Sequence, residues 1–128
     1  MNKKIITTDL APAAIGAYSQ AVSVTKQRTV YISGQIPLDP DSMQVVADDF
    51  ESQAHQVFQN LQAVAVAASG SLADAVKLNV YLTDLGDFAA LNDIMDHYIQ
   101  EPYPARAAVQ VAALPKDVKI EIDAVLCL

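Results

Sequence analysis

Val76-Lys77-Leu78-Asn79-Val80-Tyr81-Leu82-Thr83 alternates apolar and polar side chains without a break. A period of two marks a β-strand with one face on a core. The sequence on either side changes period. Upstream, Ala54, Val57, Phe58, Leu61, Val64, Ala65 and Ala68 follow steps of three and four across residues 49–69. That spacing predicts an amphipathic helix, with Gly70 available for the left-handed residue that ends it. Downstream, Phe88, Leu91, Ile94, Met95, Tyr98 and Ile99 set a second helical stripe. It runs from Asp87, an N-cap residue type, to about Gln100, and Pro102 stops it.

Further out, Val118, Ile120, Ile122 and Ala124 alternate with Lys119, Glu121, Asp123 and Val125, a second half-buried strand. Residues 105–113 read as a strand joined to it by the turn Leu114-Pro115-Lys116-Asp117. Residues 29–36, Thr-Val-Tyr-Ile-Ser-Gly-Gln-Ile, are rich in β-formers. Residues 20–25 are expected to pair with them through a turn at Lys26-Gln27, and residues 5–8 to add an edge strand. The order βββ-α-β-α-ββ over a single domain, residues 1–128, predicts an α+β fold: a mixed sheet with two helices on one face. Ala107, Val109, Val111 and Ala113 face one way, while Ala108 and Ala112 face the other. A strand apolar on both sides needs cover on both. With both helices assigned to one face, a second subunit is expected on the other.

Composition bounds the function. Hydrophobic residues make up 52% of the 128 and charged ones 18%, enough for a real core and too apolar for disorder. No run approaches the ~18 apolar residues of a membrane span. Met1-Asn2-Lys3-Lys4 is followed by Ile5-Ile6-Thr7-Thr8, too short an apolar stretch for a signal peptide, so a cytoplasmic protein is expected. Cys127, the single cysteine, cannot form an intrachain disulfide and reads as a small hydrophobe. A formal charge of -7 with 8 scattered Lys and Arg argues against a nucleic-acid partner.

Common catalytic constellations are missing. His55 and His97 fall on different predicted helices without a companion ligand at metal spacing, so both read as solvent-facing or capped and no metal is expected. There is no G-x-S-x-G elbow, Walker loop or dinucleotide fingerprint, and Cys127 has no histidine nearby. What stands out is Arg106 among Pro104, Ala105, Ala107 and Ala108. It reads either as an edge arginine paired with a carboxylate or as a planar, permanently charged fork for a ligand carboxylate, with room left by its small neighbours. If the 114–117 turn makes a hairpin that pairs Ala113 with Val118, Arg106 faces Val125 and shares a sheet face with Glu121. The two would then lie roughly 13 Å apart along the strands. A site using both would need a neighbour's surface.

Pro104-Ala105-Arg106-Ala107-Ala108-Val109, then Leu114-Pro115-Lys116-Asp117 and Val118-Lys119-Ile120-Glu121-Ile122, closely resembles the signature of the RidA (YjgF) family. Ala11-Pro12-Ala13-Ala14-Ile15-Gly16 leading into Tyr18-Ser19-Gln20, Ser33-Gly34-Gln35-Ile36-Pro37, and Asp84-Leu85-Gly86-Asp87-Phe88 with Asn92 resemble its other motifs, in the right order over essentially the whole chain. The resemblance implies a chorismate-mutase-like fold and a homotrimer with sites between subunits. It implies a 2-iminobutanoate/2-iminopropanoate deaminase, which hydrolyses the reactive imines released by dehydratases to 2-keto acids and ammonia with no cofactor. By position, Arg106 would grip the substrate carboxylate and Glu121 would hold the attacking water. Tyr18, Ser33, Gly34 and Asn92 would line the pocket. The chain departs from the pattern at Ala17, where many members have proline, at Ala108, where many have cysteine, and at Gln110, which replaces an acidic residue. Alternatives remain: a regulatory trimer that binds small keto acids without turnover, or the ribonuclease of older family labels, which the acidic charge disfavours.

Overall fold

In a computed structural model describing residues 3–25 and 28–128, the alternating strand lies inside a sheet. The strands are β1 (Lys3–Ile6), β2 (Ala21–Val24), β3 (Thr29–Gln35), β4 (Ala75–Leu82), β5 (Ala105–Gln110) and β6 (Ile120–Cys127). The helices are α1 (Phe50–Ala67) and α2 (Phe88–Met95), and the chain order is the expected one. Four strands form the main sheet in the order β3-β6-β4-β5, while β1 and β2 pair as a separate hairpin. β4 and β5 run parallel because the chain between them crosses over through α2, whereas β6 is antiparallel to both neighbours.

The core follows from the two periodicities. Leu78, Val80 and Leu82 of β4 and Ile120, Ile122, Ala124 and Leu126 of β6 form one buried layer. Ala54, Val57, Phe58, Leu61 and Ala65 of α1, with Leu91 and Met95 of α2, form the layer against it. Each large side chain buried in this way contributes about 1.5–3 kcal/mol relative to exposure.

α1 begins where Asp49 accepts a hydrogen bond from the Ser52 amide at 2.8 Å. That bonding holds the Asp49 carboxyl below its ordinary range. A depressed carboxylate stabilises above its unfolded pKa and loses that contribution as pH falls through the folded one. Asp49→Ala is therefore expected to lower the thermal midpoint at neutral pH, with the gap closing in acid. A gap independent of pH would show that the cap acts otherwise.

The helix ends differently from the expectation. Ser69, not Gly70, takes the left-handed conformation (φ 67°), and the Gly70 and Ser69 amides donate to Ala65 and Val66 carbonyls, both at 2.9 Å. α2 is also shorter than its stripe, stopping at Met95 rather than near Gln100. A turn then bonds the Tyr98 and Ile99 amides to the Met95 carbonyl, which keeps Ile99 buried. Asp87 sits at the N-cap without a side-chain cap. Asp84 instead caps the preceding turn through the Gly86 amide at 2.8 Å.

Two pairings differ from the sequence reading. β2 joins β1, with Lys3 opposite Val24 and Ile6 opposite Ala21, instead of β3; the Lys26-Gln27 turn lies outside the described residues. β5 and β6 do not form a hairpin, because β4 is inserted between them. β5 stops at Gln110, and after the Val111 amide bonds to the Leu82 carbonyl the chain leaves the sheet, so Ala112 and Ala113 are not strand residues. Lys116 and Asp117, both at positive φ, belong to a short 3₁₀ turn.

This topology sets the faces. Arg106 is level with buried Leu78, and Ala108 with buried Val80, so both lie on the helix side of β5. Glu121 is level with Tyr81, which is level with Val109, on the other side. That open face also carries Tyr31, 79% exposed, and the bonded trio Asn79, Tyr81 and Asp123. No helix covers it.

Candidate functional site

Arg106 sits on a strand of small residues and reaches toward α2. Its Nη1 donates to Asn92 Oδ1 at 2.6 Å and to Met95 Sδ at 3.5 Å. The guanidinium carbon lies 5.2 Å from the Phe88 ring centroid and 5.2 Å from that of Tyr18, within cation–π range. Phe88, Asn92 and Met95 are spaced four and three apart, so one stripe of α2 supplies all three contacts. Burial lowers the arginine's pKa, opposed by Tyr18, yet a guanidinium stays cationic at any working pH. Its partners are an amide oxygen and a thioether, so the carboxylate pairing open in the sequence is not what the described residues provide.

Tyr18 arrives on the loop between β1 and β2. Ser19 fastens that loop beside β5: its amide donates to the Pro104 carbonyl at 2.9 Å and its hydroxyl to the Tyr103 carbonyl. Gln20 holds the loop together through Pro12 O (2.6 Å) and Thr8 (N to Oε1, 2.7 Å). Lys3 Nζ anchors the hairpin on the Pro102 and Ala75 carbonyls at 2.9 and 3.1 Å, and burial lowers its pKa. Gly16 lies so near the arginine that a Cβ there would stand 3.3 Å from Nη2.

The second group of expected residues lies elsewhere. Between Ile32 and Gln35, β3 advances three residues while β6 advances two, so Ser33 and Gly34 form a bulge. The Glu121 side chain lies across Gly34, where a Cβ would overlap Oε2 and stand 2.9 Å from Cδ. Ser33 is exposed beside it. Near this carboxylate, Asp123 accepts from Asn79 Nδ2 at 2.8 Å and from the Tyr81 hydroxyl at 2.9 Å. The bond to Asp123, with burial and the charges of Asp123 and Glu121, raises the Tyr81 pKa. A raised folded pKa stabilises below the unfolded value and is lost as pH climbs through the folded one. Tyr81 is therefore expected to ionise above an ordinary tyrosine, and Asp123→Asn to bring it back down in an ultraviolet titration. An unchanged titration would show that Asp123 is not the cause.

The structure thus brings Tyr18, Asn92 and Arg106 together, and separately Ser33, Gly34 and Glu121. The expectation that Arg106 and Glu121 share a sheet face is corrected. Within one chain they occupy opposite faces, because β4 separates their strands and shifts the assumed register. Phe88, Met95 and Gly16 were not among the expected site residues, although the spacing of Phe88 and Met95 from Asn92 carries the signal. Of the histidines, His97 is solvent-facing as expected, whereas His55 is half-buried with Nδ1 2.7 Å from the Tyr98 hydroxyl. Among the described residues no group of three His, Cys, Asp or Glu is placed to hold a metal ion, and no helix is long and apolar enough to cross a membrane.

A mixed four-stranded sheet backed by two helices, with a half-buried arginine on one edge strand, defines an α+β protein. The chain belongs to the endoribonuclease L-PSP family, also called RidA/YjgF, whose model matches residues 8–127. It is 50% identical over 123 residues to the 2-iminobutanoate/2-iminopropanoate deaminase of Rattus norvegicus, covering 96% of this chain and 88% of that one. Protein DfrA of Myxococcus xanthus is 48% identical over 125 residues, covering 98% and 95%. Among solved structures, RidA from an Antarctic Psychrobacter is 56% identical, with a TM-score of 0.76 and coverage of 98% and 99%. The Rid-family protein YyfB from Yersinia pestis is 29% identical and superposes over both whole chains at 0.90. These matches establish the fold class expected from the sequence.

Proposed function

We propose that this chain is a cofactor-independent 2-imino acid deaminase of the 2-iminobutanoate/2-iminopropanoate type, active as a cytoplasmic homotrimer. The observation that carries the reading is Arg106: a half-buried cation, fixed by Asn92, whose described partners leave its charge unneutralised. Such a group suits a small ligand carboxylate. Relatives 43–50% identical bear the deaminase name, which supports the same chemistry here.

In the proposed reaction Arg106 holds the carboxylate while Tyr18 and Asn92 define the pocket wall. Glu121 takes a proton from water as the water oxygen bonds to the imine carbon. That proton passes to nitrogen, giving a carbinolamine. The hydroxyl proton then also moves to nitrogen as the C=O bond forms and the C–N bond breaks, and a 2-keto acid and ammonia leave. Ser33 and Gly34 shape the water's side of the site. Since one chain places Arg106 and Glu121 on opposite faces of its sheet, the reading requires the Arg106 group of one copy to meet the Glu121 group of another.

Coupling the protein to a threonine or serine dehydratase and following keto-acid release against semicarbazide trapping tests this. Acceleration above the uncatalysed rate is expected. The separation of the two groups within a chain favours one second reading, a keto-acid-binding trimer without turnover. Saturable 2-oxobutanoate binding with no acceleration would select it.

A further inference from the structure

The contacts of Arg106 are unevenly shared among its nitrogens. A guanidinium carries five N–H groups: two on each Nη and one on Nε. Both described acceptors, Asn92 Oδ1 and Met95 Sδ, are served by Nη1. On the Nη2 side the neighbour is Gly16, where a Cβ would stand 3.3 Å from Nη2. We propose that Phe88 and Met95 are positioning residues: Met95 with Asn92 occupies Nη1, the Phe88 ring lies against the guanidinium, and together they present the Nε–Nη2 edge of Arg106 to a ligand carboxylate. This deepens the proposed function and rests on Arg106 being the carboxylate receptor.

The geometry of α2 supports the assignment. Phe88 opens the helix, Asn92 follows one turn later and Met95 two turns later, and Met95 is fully buried. The thioether is a weak acceptor, too weak to neutralise the cation but able to occupy one N–H on the buried side of the guanidinium, where Met95 is shut off from solvent. The Phe88 ring attracts the cation through its face and limits where the long side chain can swing. A fork held in one orientation loses less freedom when a carboxylate binds, which raises affinity without a new contact. Such a clamp acts equally on ground and transition states, so its loss appears in KM more than in kcat.

The test compares 2-oxobutanoate with its neutral amide by calorimetry, using wild type, Phe88→Leu, Phe88→Tyr and Met95→Leu. Wild type is expected to prefer the carboxylate. Phe88→Leu is expected to weaken 2-oxobutanoate about fivefold and leave the amide unchanged, and Phe88→Tyr to restore binding. Met95→Leu conserves volume and keeps the fold, so it isolates the sulfur; about a threefold loss confined to the carboxylate is expected. In the coupled assay KM is expected to rise while kcat changes less than about twofold. Equal losses for both ligands, or no loss in either leucine variant, would overturn the positioning role while leaving the clamp standing. A wild type indifferent to the ligand's charge would remove the clamp itself, and this inference with it.

Discussion

Arg106→Ala is expected to lower kcat/KM for the imine by about a hundred- to ten-thousandfold while leaving the fold intact. A carboxylate on the Arg106 fork makes two charge-assisted bonds of roughly 1.5–3 kcal/mol each. Losing both removes about 3–6 kcal/mol, and each 1.4 kcal/mol is a factor of ten. Little of this should appear as instability. Arg106 is a half-buried charge at the sheet edge, its partner Asn92 is itself half-exposed, and the released amide can bond water. Arg106→Lys keeps the charge but not the fork, so an intermediate loss is expected. Steady-state kinetics with a thermal melt separates the outcomes. A variant that melts like wild type and turns over like wild type would sink the carboxylate-clamp reading. One that melts far lower would give the arginine a structural part instead.

The elements the sequence made legible are those whose burial is one-sided. Val76 to Leu82 and Ile120 to Ala124 alternate because one face meets the helices, and α1 has its stripe for the same reason. Pairing was harder to read. β5 and β6 are neighbours in sequence joined by a turn with proline in it, a pattern that also suits a hairpin. Nothing local announces that β4 enters between them; that follows from the parallel crossover through α2 and from long-range packing. The error mattered, since strand alternation turns a wrong partner into a wrong face and put Glu121 on the same sheet face as Arg106 within one chain. The β2 pairing failed similarly, because adjacency predicts pairing with β3 but the described β2 finds β1. Gly70 shows a smaller lesson. Glycine commonly ends a helix in the left-handed conformation, but here a Cβ at Gly70 would overlap the Leu128 side chain and stand 2.8 Å from Asp74 Oδ2, so close approach calls for the glycine while Ser69 takes the positive φ.

The site residues were legible as types rather than as a constellation. Arg106 stood out as a lone charge in a run of small residues, a pattern that suits an edge ion pair as well as a ligand fork. Tyr18, Ser33, Gly34, Asn92 and Glu121 came from motif resemblance, and their residue types alone carry no such signal. Phe88 and Met95 were read as core stripe, which is correct for Met95 and incomplete for Phe88, half-buried and within cation–π range of the arginine. Amphipathic periodicity reports which face is inward. It does not report that a cation is waiting there.

Gly34→Ala is the second large effect expected, and it probes the carboxylate side of the proposed reaction. A methyl on Gly34 would overlap Glu121 Oε2 and crowd Cδ at 2.9 Å. Since the obstacle is the end of a rotatable side chain, the carboxylate should swing aside and the sheet should tolerate the change. The cost then falls on chemistry: misplacing a catalytic group by about 1 Å can cost on the order of a hundredfold in rate. A kcat loss of about ten- to a hundredfold with a nearly unchanged melting temperature is expected. The double variant decides the cause. If the alanine acts through Glu121, adding it to Glu121→Gln should cost little more, because residues acting as a unit are strongly non-additive. Losses that multiply would show that Gly34 serves the site by another route, such as direct approach of its backbone to the ligand.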